Sequence, residues 1–331
     1  MTRRIVLTAA AAGICRAEFD ALDDTEVVER YDLSDTTDGA RIGEGIDGAW
    51  AVIAGSEPYG RATLAAAREL RAILRWGTGS DAIDIPAATE AGVAVVTTPG
   101  ANADAVADLA LTLILACLRG LPELQAAVRS GAWRPGTLHR DLTGATVGII
   151  GLGAIGRAVT RRLRGFDCRI LAMEPHPDLA FCREYGVQPT DLHEALPQLD
   201  VVTLHAPLTT TTHHILGAEE IALLPPHAVL VNTSRGPLVD QAALTAALAG
   251  GAIAGAGLDV FEHEPLAADD PLVSLPNVIT TGHVASFTRL GMGRIGEAVL
   301  ANLRAVLLGD LPVSCLNPAA WGPAAWGPAA L

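Results

Sequence analysis

Apolar residues along this chain fall into short runs, most of them followed by a glycine or by a stretch with helical spacing. Residues 5–7, 51–54, 72–74 and 93–96 read as strands, the second stopped by Gly55 and the fourth by Pro99 and Gly100. A helical pattern fills 62–70. Strands alternating with helices predict a parallel sheet covered by helices. From 103 to 119 the spacing is helical, with Leu109, Leu113 and Ala116 on one face, but the stretch is apolar nearly all round. Such a helix must be buried, between domains or against another subunit. A second alternating series runs from 146 to about 283, with strands at 147–150, 170–173, 201–204, 229–231, 253–256 and 278–280. A last helix, 293–308, is read as returning the chain to the first domain. This predicts an α/β protein with a discontinuous first domain (1–100 and 290–316), a second domain (101–289) and a tail (317–331). In the tail, Pro-Ala-Ala-Trp-Gly repeats around Trp321 and Trp326. A repeat rich in Pro and Gly builds no core of its own, so it reads as a flexible end; the other reading docks the two tryptophans on the body or on a neighbouring subunit.

The start of the second series carries the chemistry. The run Val147-Gly148-Ile149-Ile150 leads into Gly151-Leu152-Gly153-Ala154-Ile155-Gly156, then a helix, then a second apolar run ending on Glu174. Glycines Gly151, Gly153 and Gly156 at this spacing let the backbone turn sharply, approach a pyrophosphate and pack the next helix on its strand. An acid about twenty residues further on can hold the ribose hydroxyls of NAD. Strand, glycines, helix, strand and acid in order predict a doubly wound dinucleotide-binding domain.

Composition narrows the partners. Half of the 331 residues are hydrophobic but only 4% are aromatic, so small aliphatic side chains must fill the core. A formal charge of -14 repels nucleic-acid phosphates, so no nucleic-acid partner is expected. The five cysteines form no CxxC pair and have no zinc spacing, which fits reduced thiols, no metal and a cytoplasmic location. His213 and His214, if on a strand, would point to opposite faces and make a poor metal site. Arg3-Arg4 and the apolar stretch after them imitate a signal peptide but lack a small-x-small cleavage site. No run approaches the length of a membrane span, so no membrane partner is expected.

Further landmarks are Arg75-Trp76-Gly77-Thr78-Gly79-Ser80-Asp81, Thr98-Pro99-Gly100-Ala101-Asn102, His205-Ala206-Pro207-Leu208-Thr209 and Asn232-Thr233-Ser234-Arg235-Gly236. Leu258-Asp259-Val260-Phe261-Glu262-His263-Glu264-Pro265 and Thr281-Gly282-His283 complete them. In this order they resemble the D-isomer-specific 2-hydroxyacid dehydrogenases, in particular the phosphoglycerate-dehydrogenase-like branch, over 52–308. The resemblance implies two doubly wound parallel-sheet domains, a flavodoxin-like substrate domain and a Rossmann NAD-binding domain. It implies an NAD-dependent enzyme that transfers a hydride between nicotinamide and a small D-2-hydroxy or 2-oxo acid; the apolar helix 103–119 predicts a homodimer built partly on that helix. An NAD(H)-sensing binding protein of the corepressor type shares these residues and is the alternative.

By resemblance, His283 is the acid–base, Glu264 its carboxylate partner, and Arg235 the arginine that binds the substrate carboxylate and polarises the 2-oxygen. The peptide N–H groups of Thr78 and Gly79 would also meet that carboxylate. Ala154 and Ile155 would meet the pyrophosphate, Glu174 the adenosine ribose, and Thr233, Ser234, Arg235, Asp259, His283 and Ser286 the rest of NAD. Arg75 has two equal readings, a contact with a distal polar or anionic group of the substrate and a solvated or ion-paired arginine. Trp76 is bulky where a small residue is common and would narrow the pocket. Gly282 stands where proline usually precedes the histidine, which predicts a loosened loop. The chain stops soon after the last helix, so no appended regulatory domain is expected.

Overall fold

The computed structural model describes residues 2–34, 36–133, 136 and 138–321, and divides into two compact units, Met1–Asn102 with Thr288–Leu331, and Ala103–Phe287. The first unit is built on five parallel strands, β1 (Arg3–Leu7), β2 (Thr25–Glu29), β3 (Ala51–Ala54), β4 (Ala72–Arg75) and β5 (Ala94–Val96). Their order, β2-β1-β3-β4-β5, is that of a flavodoxin-like sheet and reverses between β1 and β3. Three of these strands are buried almost throughout, as parallel strands covered on both faces must be. β2 is absent from the sequence reading because Thr-Glu-Val-Val-Glu is a half-exposed, charged edge strand without an apolar run. The helix expected at 62–70 is shorter, Arg61–Ala66, because Ala67 leaves helical geometry and Leu70 turns into the core.

The closing helix, Arg289–Leu308, starts earlier than the apolar pattern suggests. Thr288 caps it, its hydroxyl accepting from Gly291 N at 2.9 Å, and Gly309 ends it at φ +82°. Met292, Ile295, Val299, Leu303 and Val306 recur at spacings of three and four and enter the core of the first unit with Phe19 and Trp76. Beyond it the tail is not separate from residue 317. Asn317 is buried, accepts from Val95 N at 2.8 Å and donates to Val93 O at 2.9 Å and Thr89 Oγ1 at 3.0 Å. Trp321 packs against the same core. Trp326 and the rest of the repeat lie outside the described residues.

The second unit has seven parallel strands: β6 (Thr146–Ile150), β7 (Arg169–Met173), β8 (Val187–Pro189), β9 (Val201–Leu204), β10 (Val229–Asn232), β11 (Gly255–Leu258) and β12 (Val278–Thr280). The order β12-β11-β10-β9-β6-β7-β8 is a Rossmann sheet with one extra strand, reversing between β6 and β9. β8 was missed in the sequence, where Val-Gln-Pro is too short and polar to stand out.

The apolar helix, Ala103–Leu118, is covered within this unit. Ala103, Ala107, Ala110, Leu113, Ile114 and Leu118 enter the core, and Leu109, Leu111 and Leu115 pack at its border. Asp108 and Thr112 form its exposed line, Asp108 accepting from Arg162 Nε at 2.5 Å. Most of its apolar surface is thus covered within this unit, with Leu109, Leu111 and Leu115 left half-buried. β11 begins two residues later than expected because its glycines are spacers. A Cβ on Gly257 would lie 2.8 Å from Leu113 Cβ, so the strand lets this helix cross it closely.

Candidate active site and dinucleotide cradle

β6 runs into the glycine turn at the point where the second sheet reverses. Gly151 has φ +92°, and a Cβ there would lie 2.6 Å from the backbone nitrogen of Ala206. A Cβ on Gly156 would lie 2.1 Å from the Gly151 carbonyl oxygen, so only glycine allows the helix Ala154–Leu163 to start so close to its strand. Gly153 is different. It is the N-cap, it is exposed, and a Cβ would meet nothing within 4 Å among the described residues. Gly153, Ala154 and Ile155 thus present an open helix N-terminus, a ready site for phosphate oxygens. Glu174, just past β7, accepts from Leu152 N at 2.9 Å and His176 N at 3.2 Å. Each carboxylate oxygen retains lone-pair capacity for a ribose hydroxyl. The nearby guanidinium of Arg157 is turned onto Leu152 O and Asp178 Oδ2, both at 3.1 Å.

The floor of the turn follows β9. His205 donates its backbone N–H to Ile150 O at 2.7 Å, and its ring Nε2 meets Thr203 Oγ1 at 3.0 Å. Complete burial pushes this imidazole down to about 3, so it is neutral at ordinary pH.

The loop after β10 carries Thr233, Ser234 and Arg235. Asn232 shapes it, accepting from Ser234 N at 3.0 Å and donating to Arg235 O at 2.8 Å. Ser234 Oγ donates to Ala206 O at 2.7 Å, tying the loop to the floor of the glycine turn. Thr233 Oγ1 is buried and has no hydrogen-bond partner among the described residues. Gly236 then passes against the loop after β11: a Cβ there would sit 1.9 Å from Phe261 C and O. That close passage brings Arg235 near Glu264.

Glu264 accepts from Phe261 N at 3.0 Å and faces His283 Nδ1 through Oε2 at 2.6 Å. Burial alone would raise its carboxyl, but the His283 hydrogen bond and charge, the Phe261 N–H and the Arg235 charge outweigh burial and hold it below the usual carboxylate range. His283 has φ +55°. The loop that carries it is pinned from below by Asp259, which is fully buried. Asp259 Oδ1 accepts from Thr281 Oγ1 at 2.6 Å and Val284 N at 2.9 Å, and Oδ2 from Ala285 N at 2.9 Å. The Asp259 carbonyl accepts from His283 N at 2.7 Å. Four hydrogen bonds to Asp259 thus constrain the loop on both sides of Gly282. Ser286 follows on the same loop, half-buried.

Arg235, Glu264 and His283 thus come together within the second unit. Gly236 and Thr281, which the sequence reading did not single out, set their positions; both lie inside quoted motifs, and the signal was their immediate adjacency to the chemical residues. His213 and His214 lie in a turn rather than on a strand. Their rings stack at 4.0 Å, and His214, at φ +50°, pairs with Glu262 Oε1 at 2.6 Å.

In the first unit, β4 ends in Arg75. Its Nη1 donates to Trp76 O at 2.6 Å and approaches Ala54 O at 3.5 Å. Gly77 has φ +136°. Exposed Thr78 and half-buried Gly79 follow, with Thr78 Oγ1 donating to Thr98 O at 3.3 Å. Trp76 is buried in its own unit's core, so its ring does not stand in the loop.

The chain compares closely with known proteins. A profile described as D-isomer specific 2-hydroxyacid dehydrogenase, NAD binding domain, matches residues 111–285. A glyoxylate reductase of Korarchaeum cryptofilum is 41% identical over 267 residues, covering 79% of this chain and 80% of that protein. A D-3-phosphoglycerate dehydrogenase of Methanocaldococcus jannaschii is 40% identical over 259 residues, covering 78% of this chain and 49% of that protein. Among solved structures, a D-lactate dehydrogenase of Aquifex aeolicus complexed with NAD and lactic acid matches with a TM-score of 0.83 at 25% identity, covering 95% of this chain and 99% of that one.

Proposed function

The chain belongs to the D-isomer-specific 2-hydroxyacid dehydrogenase family, and from that premise we propose that Arg235, Glu264 and His283 carry its chemistry. It is an NAD-dependent oxidoreductase of small 2-hydroxy and 2-oxo acids. The residues present fit the cofactor: an open helix N-terminus at Gly153 for phosphates, Glu174 for ribose hydroxyls, and the buried hydroxyl of Thr233, unpartnered among the described residues. NAD, when bound, accepts or returns the hydride. The protein's part is to move the proton and hold the acid. His283 Nε2 exchanges the proton with the 2-oxygen, while Nδ1 is held by Glu264. Arg235 binds the substrate carboxylate and draws charge from the 2-oxygen through its rigid fork of donors. In the first unit, the N–H groups of Thr78 and Gly79 are proposed as donors to a substrate carboxylate.

The observation that carries this reading is the 2.6 Å His283–Glu264 contact on a loop pinned by Asp259. His283→Ala should lower kcat by roughly a hundred- to ten-thousand-fold while NADH still binds, as read by cofactor fluorescence. Near-normal kcat across several pH values would exclude the role. The relatives are named as reductases and dehydrogenases, which supports the enzyme and not the NAD(H)-sensing alternative.

The cofactor preferred is NAD over NADP. Glu174 would meet a 2'-phosphate with like charge, and Arg157 is engaged by Asp178. The kcat/KM for the two cofactors should favour NAD, and Glu174→Ala should narrow the gap; a preference for NADP overturns the assignment. The homodimer is proposed on a different surface from the one the sequence suggested. The helix Leu121–Arg129 buries none of its residues, and Leu121, Val128, Trp133 and Leu138 stand exposed on and after it. Exposed apolar side chains of this kind suit a second copy. A cytoplasmic location is proposed, in keeping with five free cysteines. Neither nucleic acid nor a membrane is proposed as a partner.

A further inference from the structure

The end of β10 holds a side chain that the chemistry above does not use. Asn232 is the last residue of the strand, paired with Leu204 of β9 and Leu258 of β11, and it is 1% exposed. A polar group at such a position must find its partners inside the protein. Asn232 finds both within the next three residues. Its Oδ1 accepts from Ser234 N at 3.0 Å and its Nδ2 donates to Arg235 O at 2.8 Å. A peptide N–H only donates and a peptide carbonyl only accepts, so these two bonds fix which end of the amide is oxygen. Aspartate lacks the donor and leucine lacks both groups, so neither could make the pair.

What the amide holds is the Ser234–Arg235 peptide, gripped at the N–H before it and at the carbonyl after it. Between those two points stands Ser234 O, and Arg235 Nη1 donates to that oxygen at 2.6 Å. The guanidinium therefore takes its bearing from a carbonyl whose plane is set by Asn232. The Arg235 backbone is extended, with φ -143° and ψ 137°. An arginine fork must meet a carboxylate in one plane, and small misplacements of such a clamp are costly to the reaction. Ser234 Oγ ties the same peptide from another side, to Ala206 O at 2.7 Å.

Asn232 also reaches towards the histidine. Its carbonyl accepts from Asp259 N at 2.9 Å, and Asp259 holds the loop of His283. One strand end is thus the common reference for the group that binds the acid and the group that moves its proton.

We propose that Asn232 is a positioning residue for the reaction: its side-chain amide aims the Arg235 guanidinium at the substrate, from the same strand end that seats the His283 loop. This rests on the dehydrogenase reading, in which Arg235 meets the substrate carboxylate and 2-oxygen.

The probe is oxamate, a 2-oxo-acid mimic that is not reduced, titrated by fluorescence into the full chain with NADH bound, beside steady-state reduction of glyoxylate. Asn232→Ala should weaken oxamate and lower kcat/KM for glyoxylate, each by about tenfold, while the NADH Kd stays within about threefold. Arg235→Lys keeps the charge and loses the fork. Adding Asn232→Ala to it should change oxamate affinity by less than about twofold, because the amide then has no guanidinium to aim. An asparagine that served the fold alone would behave otherwise. Oxamate affinity unmoved by Asn232→Ala, oxamate and NADH weakened alike, or effects that add in the double variant would each overturn the proposal. If Asn232→Ala does not fold, Asn232→Asp is read by the same split, since it keeps the size and the acceptor for Ser234 N but not the donor to Arg235 O. No NADH consumption by the wild type with glyoxylate, hydroxypyruvate or pyruvate would overturn the dehydrogenase reading instead.

Discussion

His205 shows what burial does to a single titratable ring. Its imidazole is held at about 3, far below the ordinary histidine range, because it is enclosed beneath the glycine turn. A base whose folded value is depressed binds fewer protons folded than unfolded. Stability is therefore undiminished above the ordinary histidine range and falls as pH drops from there towards 3, by at most about 1.4 kcal/mol per pH unit for one proton. His205→Gln should flatten the fall of Tm with acid between pH 6 and 4, relative to wild type, in thermal melts at matched ionic strength; equal slopes would show that another group dominates. Residue types and motif order made the candidate residues visible in the sequence. What holds them was not visible. Asp259 reaches Thr281, 22 residues away, and Glu264 reaches His283, 19 residues away. Such pairings are set by which strand ends lie side by side in the sheet, and no local spacing encodes them.

At the scale of elements, two glycines three residues apart make opposite demands. Gly156 is required by packing, with a backbone oxygen 2.1 Å from any added Cβ, whereas Gly153 faces open space. Gly156→Ala should cost about 1–3 kcal/mol by forcing helix from strand, seen as a lower Tm without cofactor. Gly153→Ala should leave the apo Tm within a degree or two and weaken NADH binding by about tenfold, or 1.4 kcal/mol, because the methyl occupies the approach of the phosphates. Scanning fluorimetry with and without NADH separates the two, and a large apo destabilisation by Gly153→Ala would contradict the open N-terminus. The long buried strands and helices were legible in the sequence because burial on both faces leaves continuous apolar runs. Edge elements were not. β2 and β8 carry charges or proline where solvent reaches them, so their alternation is weak. β11 was displaced by two residues because its glycines answer to the helix that crosses it, a tertiary demand that overrides strand propensity.

For the molecule as a whole, the exposed apolar face around Leu121, Val128, Trp133 and Leu138 sets the expectation of a dimer. Light scattering at micromolar concentration should give twice the chain mass, and Leu121→Glu with Val128→Glu should give monomers with unchanged apo secondary structure. A monomeric wild type would refute the assembly. Fold class was the most legible property of this sequence, since alternation alone dictates parallel sheets. The share each unit has in the chain is subtler, because the first unit is closed by residues from the far end. Asn317 satisfies the backbone at Val93 and Val95, and the helix Arg289–Leu308 supplies one wall of the core. A ribosome delivers these parts in an awkward order. The first strands emerge early and stay without that wall until the whole intervening unit has been made. At about 5–20 residues per second the wait is on the order of ten to forty seconds. The middle unit, contiguous in the chain, can be complete while the unit begun before it is still an open sheet, and for that interval the nascent chain depends on whatever in the cell shelters an unfinished core.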